Sequence, residues 1–170
     1  MKFEDIPQMT RDGNYRVHVS WKYLEEQIKR DYDDLEIDLD PDFQRAHVWS
    51  EEQQRRFVEF KLRGGTGSDE LRFNCAGWQN DYRGPYVLVD GKQRLEAVRK
   101  FMRDELEIFD GAKFSDFEDS IRVTKTRFIW CVNDLKTRKE VLQWYLDINT
   151  GGVVHSDEEI EKVRKLLEKE

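Results

Sequence analysis

The chain has 170 residues, of which 38% are charged and 38% are hydrophobic, and its formal net charge is −7. A chain of this length can form one domain (1–170) that buries roughly 70% of its unfolded surface, and abundant Phe, Tyr and Trp exclude a disordered chain. The acidic balance argues against a broad basic surface for nucleic acid, although a local basic groove stays possible.

The first third of the chain alternates between short apolar patterns and acidic runs. Residues 1–14 are polar and aperiodic, which predicts an arm that is loose or packed as a coil. Alternating apolar residues at 15–19 predict a strand, and Ser20 is placed to cap a helix. The apolar face of that helix comprises Trp21, Leu24 and Ile28. Residues 35–39 alternate with acids, which predicts a strand or extended segment with a solvated acidic face.

The next segments contain a capping signature and a glycine-rich loop. Residues 41–49 are predicted to be an irregular loop. Ser50 and Gln53 form a capping-box pattern that begins a helix ending near Gly64. The core face of this helix comprises Phe57, Val58 and Leu62. Gln53 and Gln54 could contact a ligand, although a helical Gln is more often solvated. The loop at 63–70 lacks the Gly-Lys-Ser/Thr ending of a P-loop, and alternating residues 71–75 predict a strand.

The sequence of the central segment predicts a strand, a tight turn and a helix, in that order. Pro85 and the apolar run 86–89 predict a buried strand, which Asp90-Gly91 ends. From Lys92 onward the apolar positions have helical spacing. They are Leu95, Val98, Phe101 and Met102.

The last third adds one strong strand and two capped helices. Phe114 and Phe117 are expected to pack as an aromatic satellite of the core, and residues 127–132 are the most apolar strand candidate. Thr137 with Glu140 predicts a helix that stops at 149–152. Its buried face comprises Val141, Ile148 and either Trp144 or Tyr145. A C-terminal helical segment (153–170) begins with Ser156 and Glu159 and carries Ile160, Val163, Leu166 and Leu167 on its apolar face. These elements predict an α+β fold in which helices surround a small mixed sheet.

The turn between the central strand and helix carries side chains suited to an anion. A helix start presents N–H groups and the positive end of its dipole, and Gly91 allows the backbone to approach a ligand closely. Arg94 could clamp two phosphate oxygens, Lys92 could add a point charge, and Asp90 could hold a metal ion or orient water. Asp-Gly also occurs in such turns for backbone reasons alone, so the turn by itself leaves both interpretations open.

Three segments together resemble a known family. The run from Asp90 to Leu95 resembles the Asp-Gly-Gln-Gln-Arg motif in the N-terminal domain of GmrSD-type (type IV) restriction enzymes, within the ParB/sulfiredoxin-like superfamily. The segment at 41–54, with Gln44-Arg45 and Val48-Trp49, is similar to its Tyr-Gln-Arg and Val-Trp elements. Residues 148–153 are similar to its Ile-Asn-Thr-Gly-Gly segment. Lys92 departs from the pattern, because the family usually has Gln there.

The resemblance implies a ParB/sulfiredoxin-like fold and a site that binds nucleotide phosphates. It implies that Gly91, Lys92 and Gln93 present N–H groups to the phosphates while Arg94 clamps them. Gln44 and Arg45 would close the site from the other side. Asn149 and Thr150 would add polar contacts, and Gly151 would permit close approach. Mg²⁺ is expected with the nucleotide, held by Asp90 and phosphate oxygens, and Asp90 or Gln93 would orient a water for hydrolysis.

The resemblance therefore predicts a module that binds a nucleoside triphosphate and acts in a phage or defence context. Whether it also hydrolyses the nucleotide with Mg²⁺ is left open. DNA or a restriction or defence protein are the expected partners. The alternatives are a non-catalytic DNA-associated or protein-interaction module and a ParB-like nuclease. The nuclease alternative is disfavoured because His18, His47 and His155 share no ligand spacing, and no His-Asn-His segment is expected before Glu170.

The cysteines and the lack of long apolar runs predict a cytoplasmic protein. Cys75 and Cys131 stand in apolar strand-like runs without Cys-x-x-Cys spacing, which predicts reduced core thiols. Residues 1–10 lack the apolar region of a signal peptide, and no run approaches the ~20 apolar residues of a membrane span.

Overall fold

The computed structural model describes residues 15–44, 49–79, 81–121, 125–150 and 157–170, and these form an α+β fold with a mixed sheet, as predicted. The strands are β1 (Tyr15–Ser20), β2 (Ile37–Asp38), β3 (Glu70–Cys75), β4 (Tyr86–Asp90) and β5 (Arg127–Asn133). The helices are α1 (Leu24–Leu35), α2 (Glu51–Leu62), α3 (Lys92–Met102), α4 (Arg138–Thr150) and α5 (Asp157–Leu167). The predicted arm at 1–14 lies outside the described residues. Within the described residues, no helix has the length and apolar character needed to cross a bilayer.

The sheet has the strand order β1-β5-β3-β4-β2. β1 pairs antiparallel with β5, β5 pairs parallel with β3, β3 pairs antiparallel with β4, and β4 pairs parallel with β2. The last long strand of the chain therefore lies between the first strand and β3. This order places the end of β4 beside the start of β3, with Asp90 opposite Arg72.

The two faces of the sheet are covered by different helices. Tyr86 and Leu88 of β4 belong to the larger core cluster, which also contains apolar residues of α1, α2 and α3. Val89, and Val87 beside it, pack instead with the apolar side chains of α4 and α5. Successive residues of a strand point to opposite faces, so α3 and α4 lie on opposite sides of β4. The end of β4 is thus held from both sides.

Both cysteines are free thiols in strands, as expected. Cys75 in β3 and Cys131 in β5 are buried. Burial raises the pKa of each thiol above its ordinary value, which keeps it protonated and unreactive near neutral pH.

The helix starts that depend on local chemistry form as the sequence predicts. The Ser50 Oγ accepts from the Gln53 N–H (3.2 Å), and the Ser50 N–H donates to the Gln53 Oε1 (2.8 Å). The Glu140 N–H donates to the Thr137 Oγ1 (3.2 Å), and the Thr137 N–H donates to a Glu140 carboxylate oxygen (3.0 Å). Ser20 caps a short 3₁₀ turn at Trp21–Tyr23, which leads into α1.

Three expectations are wrong in whole or in part. Leu35 ends α1 rather than beginning a strand, because Glu36 adopts a left-handed conformation (φ 53°) that closes the helix. Gln54 is 3% exposed rather than solvated, and its Nε2 donates to the Trp49 carbonyl (3.0 Å). Phe117 is 44% exposed and meets Phe101 at a ring centroid separation of 6.4 Å, whereas Phe114 packs against the core cluster as expected.

Asp31 is a buried carboxylate near the C-terminal end of α1, and replacing it with Asn is expected to stabilise the fold. Burial raises the pKa of Asp31, although the Gln27 Nε2 donates to both of its oxygens (2.8 and 3.0 Å). A carboxyl whose pKa is higher in the folded state destabilises the fold above that pKa, and the penalty disappears as pH falls through it.

We therefore expect Asp31→Asn to raise the free energy of unfolding and the Tm at pH 7. The gap between the two proteins should close below about pH 3.9, where the unfolded chain also becomes protonated. Thermal melts from pH 3 to 7 measure this. Asp33→Asn, on the exposed side of α1, is the matched control and should not stabilise. An unchanged or lower Tm for Asp31→Asn at pH 7 would contradict the expectation.

Candidate functional site

The junction of β4 and α3 forms as predicted. Asp90 ends β4, and Gly91 is the N-cap residue of α3 with a positive φ of 106°. The first hydrogen bond of the helix joins the Leu95 N–H to the Gly91 carbonyl (3.0 Å). The N–H groups of residues 92–94 therefore lie in the first turn, before the helix supplies its own acceptors.

A cleft of about 420 Å³ opens beside this turn, and we call it the α3 cleft. It is lined by the turn itself, by charged and amide side chains from other elements, and by aromatic rings. These residues include Gln44, Trp49, Phe57, Ser68, Arg72, Asp90, Gly91, Lys92, Gln93, Arg94, Tyr145 and Asn149. A second cavity of about 370 Å³ is lined by four phenylalanines, including Phe101 and Phe109, together with other residues such as Arg63, Asp119 and Lys125. Charged and amide groups from four separate segments converge in the α3 cleft, so it is the better candidate site.

A row of alternating charges leads from the sheet edge into the cleft. Arg16 pairs with Glu70, whose Oε2 lies 3.6 Å from the Arg72 Nη2. The Asp90 Oδ2 accepts from both the Arg72 Nη1 (3.0 Å) and the Arg94 Nη2 (2.8 Å). The side-chain exposure falls from 55% at Arg16 to 19% at Arg94. The ion pairs nearest the cleft are therefore the least screened by water.

Arg72 is a cleft residue that sequence reasoning missed. The β3–β4 register changes between Arg72 and Phe73, so that Arg72 faces Asp90 whereas Phe73 faces Leu88. This irregularity leaves Val89 as an extra residue in β4, and such bulges change the direction of neighbouring side chains. The available signal was the alternation of 71–75, which places residue 72 on the polar side of the strand.

The predicted polar residues line the cleft, and several also hold its walls in place. Lys92 forms an ion pair with Asp40, and the Gln93 Oε1 accepts from the Trp49 N–H (3.0 Å). The Gln44 Nε2 donates to the Leu88 carbonyl (2.6 Å), which joins residues 41–44 to β4. The Asn149 Nδ2 donates to the carbonyl of Tyr145 one turn earlier in α4 (2.7 Å).

The remaining predicted site residues are not described. Arg45 and Gly151 lie outside the described residues, as does His47. Thr150 is the last residue of α4, and its side chain is not described.

Aromatic rings form the apolar part of the cleft wall. Trp49 and Phe57 meet edge to face with their ring centroids 5.5 Å apart. Tyr145 on α4 packs edge to face against Phe43 at 5.3 Å. A cleft that combines guanidinium groups with aromatic rings can accommodate a ligand that has both an anionic and a flat part.

The described donor set does not fit a metal ion held by the protein alone. In the described part of the chain, no three His, Cys, Asp or Glu residues are grouped so that they could hold a metal ion. Asp90 is the predicted ligand, and one of its oxygens already accepts hydrogen bonds from two guanidinium groups. Two adjacent positive charges disfavour a cation at that oxygen.

Comparisons of the chain with protein-family models, with curated proteins and with solved structures give no match. The family resemblance therefore stays a prediction that depends on its three short motifs.

Proposed function

We propose that the α3 cleft binds the phosphate groups of a nucleoside triphosphate. The observation that carries the proposal is the convergence of Arg72, Lys92 and Arg94 beside the N-terminus of α3, in a chain whose net charge is −7. Guanidinium groups can bind two phosphate oxygens at once, and a helix start favours negative charge. The motif from Asp90 to Leu95 supports the same ligand.

The other walls of the cleft suit the rest of a nucleotide. Trp49, Phe57 and Tyr145 offer aromatic surface for a base or ribose, and Gln44 and Asn149 add amide groups. Mg²⁺ enters this proposal only as the counter-ion of the nucleotide, coordinated chiefly by phosphate oxygens, because the described residues do not form a metal site of their own. Hydrolysis is a separate step that requires a water oriented by Gln93 or Asp90.

The resemblance to the GmrSD-type family extends the proposal to the fold, location and partners of the chain. The chain would be a cytoplasmic module with a ParB/sulfiredoxin-like fold, related to the N-terminal domain of GmrSD-type restriction enzymes. It would act with DNA or a defence protein. The α+β fold with a mixed sheet and the polar cleft at the β4–α3 junction are compatible with this relationship.

Arg94→Ala is expected to weaken nucleotide binding at least tenfold while the protein stays folded. The Asp90 carboxylate keeps Arg72 as a partner in this variant, so no buried charge is left without a counter-ion. The measurement is thermal stabilisation by ATP, GTP, CTP and UTP, with and without Mg²⁺. Ligand at ~100 times Kd should stabilise the wild type by about 2.7 kcal/mol.

Arg103→Ala is the matched control, because Arg103 follows α3 at its other end and pairs with Glu25 outside the cleft. It should bind nucleotide like the wild type. The proposal is contradicted if none of the four nucleotides stabilises the wild type, or if both arginine variants respond equally. Phosphate release measured in parallel separates binding from hydrolysis, and metal-dependent plasmid nicking would favour the nuclease alternative.

A further inference from the structure

We infer that Asp90 is an internal counter-ion that occupies the anion position of the α3 cleft, and that an incoming phosphate displaces it from Arg94. The inference rests on the proposed phosphate-binding function and gives Asp90 a role different from a metal ligand or a base. Asp90 would then set the affinity of the cleft rather than contribute to it.

The geometry places a carboxylate oxygen where a phosphate oxygen would bind. The Asp90 Oδ2 lies between two guanidinium groups, 2.8 Å from the Arg94 Nη2 and 3.0 Å from the Arg72 Nη1. The same Arg94 nitrogen lies close to Gly91, because a Cβ built on that glycine would be 3.2 Å from it. The Asp90 carboxylate therefore sits beside the helix start and accepts hydrogen bonds from the groups that suit a phosphate.

The surrounding charges support competition between the carboxylate and a ligand. Asp90 and Arg94 are both mostly buried at their side chains, so their attraction is stronger than that of a surface pair. Glu70 approaches Arg72 from the other side at 3.6 Å, so Arg72 keeps a partner when Asp90 moves away. A triphosphate carries several negative charges against the single charge of Asp90. It can therefore replace the carboxylate at Arg94.

The competing roles of Asp90 give opposite results for Asp90→Asn. A metal ligand would lose Mg²⁺-dependent binding, and a base would lose turnover while the affinity stayed unchanged. If Asp90 is a counter-ion, in contrast, replacing it with Asn leaves the guanidinium groups of Arg72 and Arg94 without a neutralising negative charge. The Asn variant should therefore bind phosphate more tightly, even without a metal ion.

The experiment is calorimetric titration of inorganic tripolyphosphate into the full chain in EDTA, at low salt. We expect Asp90→Asn to bind about three- to tenfold more tightly than the wild type, and we expect the gain to shrink as NaCl is added. The matched control is Glu25→Gln. Glu25 also bridges two arginines, Arg99 (2.7 Å) and Arg103 (3.0 Å), but at the other end of α3. This control changes the net charge equally and should bind within twofold of the wild type.

The remaining outcomes are also decisive. If the wild type binds and Asp90→Asn binds equally or more weakly, the counter-ion role is wrong, and the proposed function survives. If neither protein binds tripolyphosphate or any nucleotide, the proposed function itself fails. If Asp90→Asn is unfolded in buffer, tripolyphosphate at levels that saturate the wild type should restore its native circular dichroism. Failure of that rescue would overturn the inference.

Discussion

Gly91→Ala is expected to destabilise the protein by about 3–5 kcal/mol and to abolish binding at the α3 cleft. The φ of Gly91 is 106°, a conformation that residues with a Cβ rarely adopt. An alanine Cβ would also overlap the Leu71 Cδ2 methyl group and lie 3.4 Å from the Leu71 Cα. Leu71 is fully buried in the central strand β3. The packed core leaves that methyl group little space in which to rotate away from the new Cβ.

Gly64→Ala separates the two causes of this loss. Gly64 also has a positive φ of 88°, but no heavy atom lies within 4 Å of the position its Cβ would occupy. The Gly64→Ala variant should therefore lose only about 1–2 kcal/mol of stability, which is the cost of the strained backbone conformation alone. Urea unfolding of both variants measures the difference. Gly91→Ala should also cost less in a Leu71→Ala background, because the clashing methyl group is gone. Equal losses for the two glycine variants would show that contact with Leu71 is unimportant.

Lys61→Met is expected to destabilise the protein by about 2–4 kcal/mol. The Lys61 side chain is 3% exposed, and its Nζ donates to the carbonyls of Gly65 (2.7 Å) and Gly67 (3.1 Å). The ammonium also lies against the Asp69 Oδ1 as an ion pair, without hydrogen-bond geometry. Methionine preserves the packing of the stem but leaves two carbonyls without their donor and the Asp69 carboxylate without its counter-ion. The loop that follows α2 should therefore loosen.

The functional effect of Lys61→Met follows from the position of that loop. Ser68 lies in the loop and lines the α3 cleft, so nucleotide affinity should fall together with stability. Lys29→Met is the matched control, because Lys29 pairs with Asp33 on the exposed side of α1. It should change neither property measurably. If Lys61→Met unfolds at the same urea concentration as Lys29→Met, the buried ammonium does not organise the loop.

The features that sequence reasoning predicted depend on residues close together in the chain. The capping boxes at Ser50 and Thr137 each need two residues three positions apart, and both form. The β4–α3 junction needs only an apolar run, Asp90-Gly91 and helical spacing. Such patterns carry their information within one or two turns, so tertiary packing seldom overrides them.

The features that were missed depend on residues brought together by the sheet. Arg72 reaches Asp90 because β3 pairs with β4 and because Val89 is inserted in the register, and neither property is visible in residues 71–75 alone. The burial of Gln54 depends on the carbonyl of Trp49 at the end of the preceding loop. Tyr145 joins the cleft wall because α4 packs on the face of β4 opposite α3. Each of these contacts depends on the pairing or packing of distant segments, which cannot be predicted from a local sequence pattern.

The parallel pairing of β3 with β5 bears on how the protein acquires its cleft during synthesis. This pairing joins residues 70–74 to residues 129–133, and the whole of β4 and α3 lies in the loop between them. Closing so long a loop costs conformational entropy before the two strands can form stabilising contacts. Sheets with such pairings therefore fold comparatively slowly. The β3–β4 pair and α3 can form while the chain is still being made, but Tyr145 and Asn149 of the cleft wall lie on α4, which follows β5 in the chain. A nascent chain should therefore be unable to bind nucleotide until translation has passed β5.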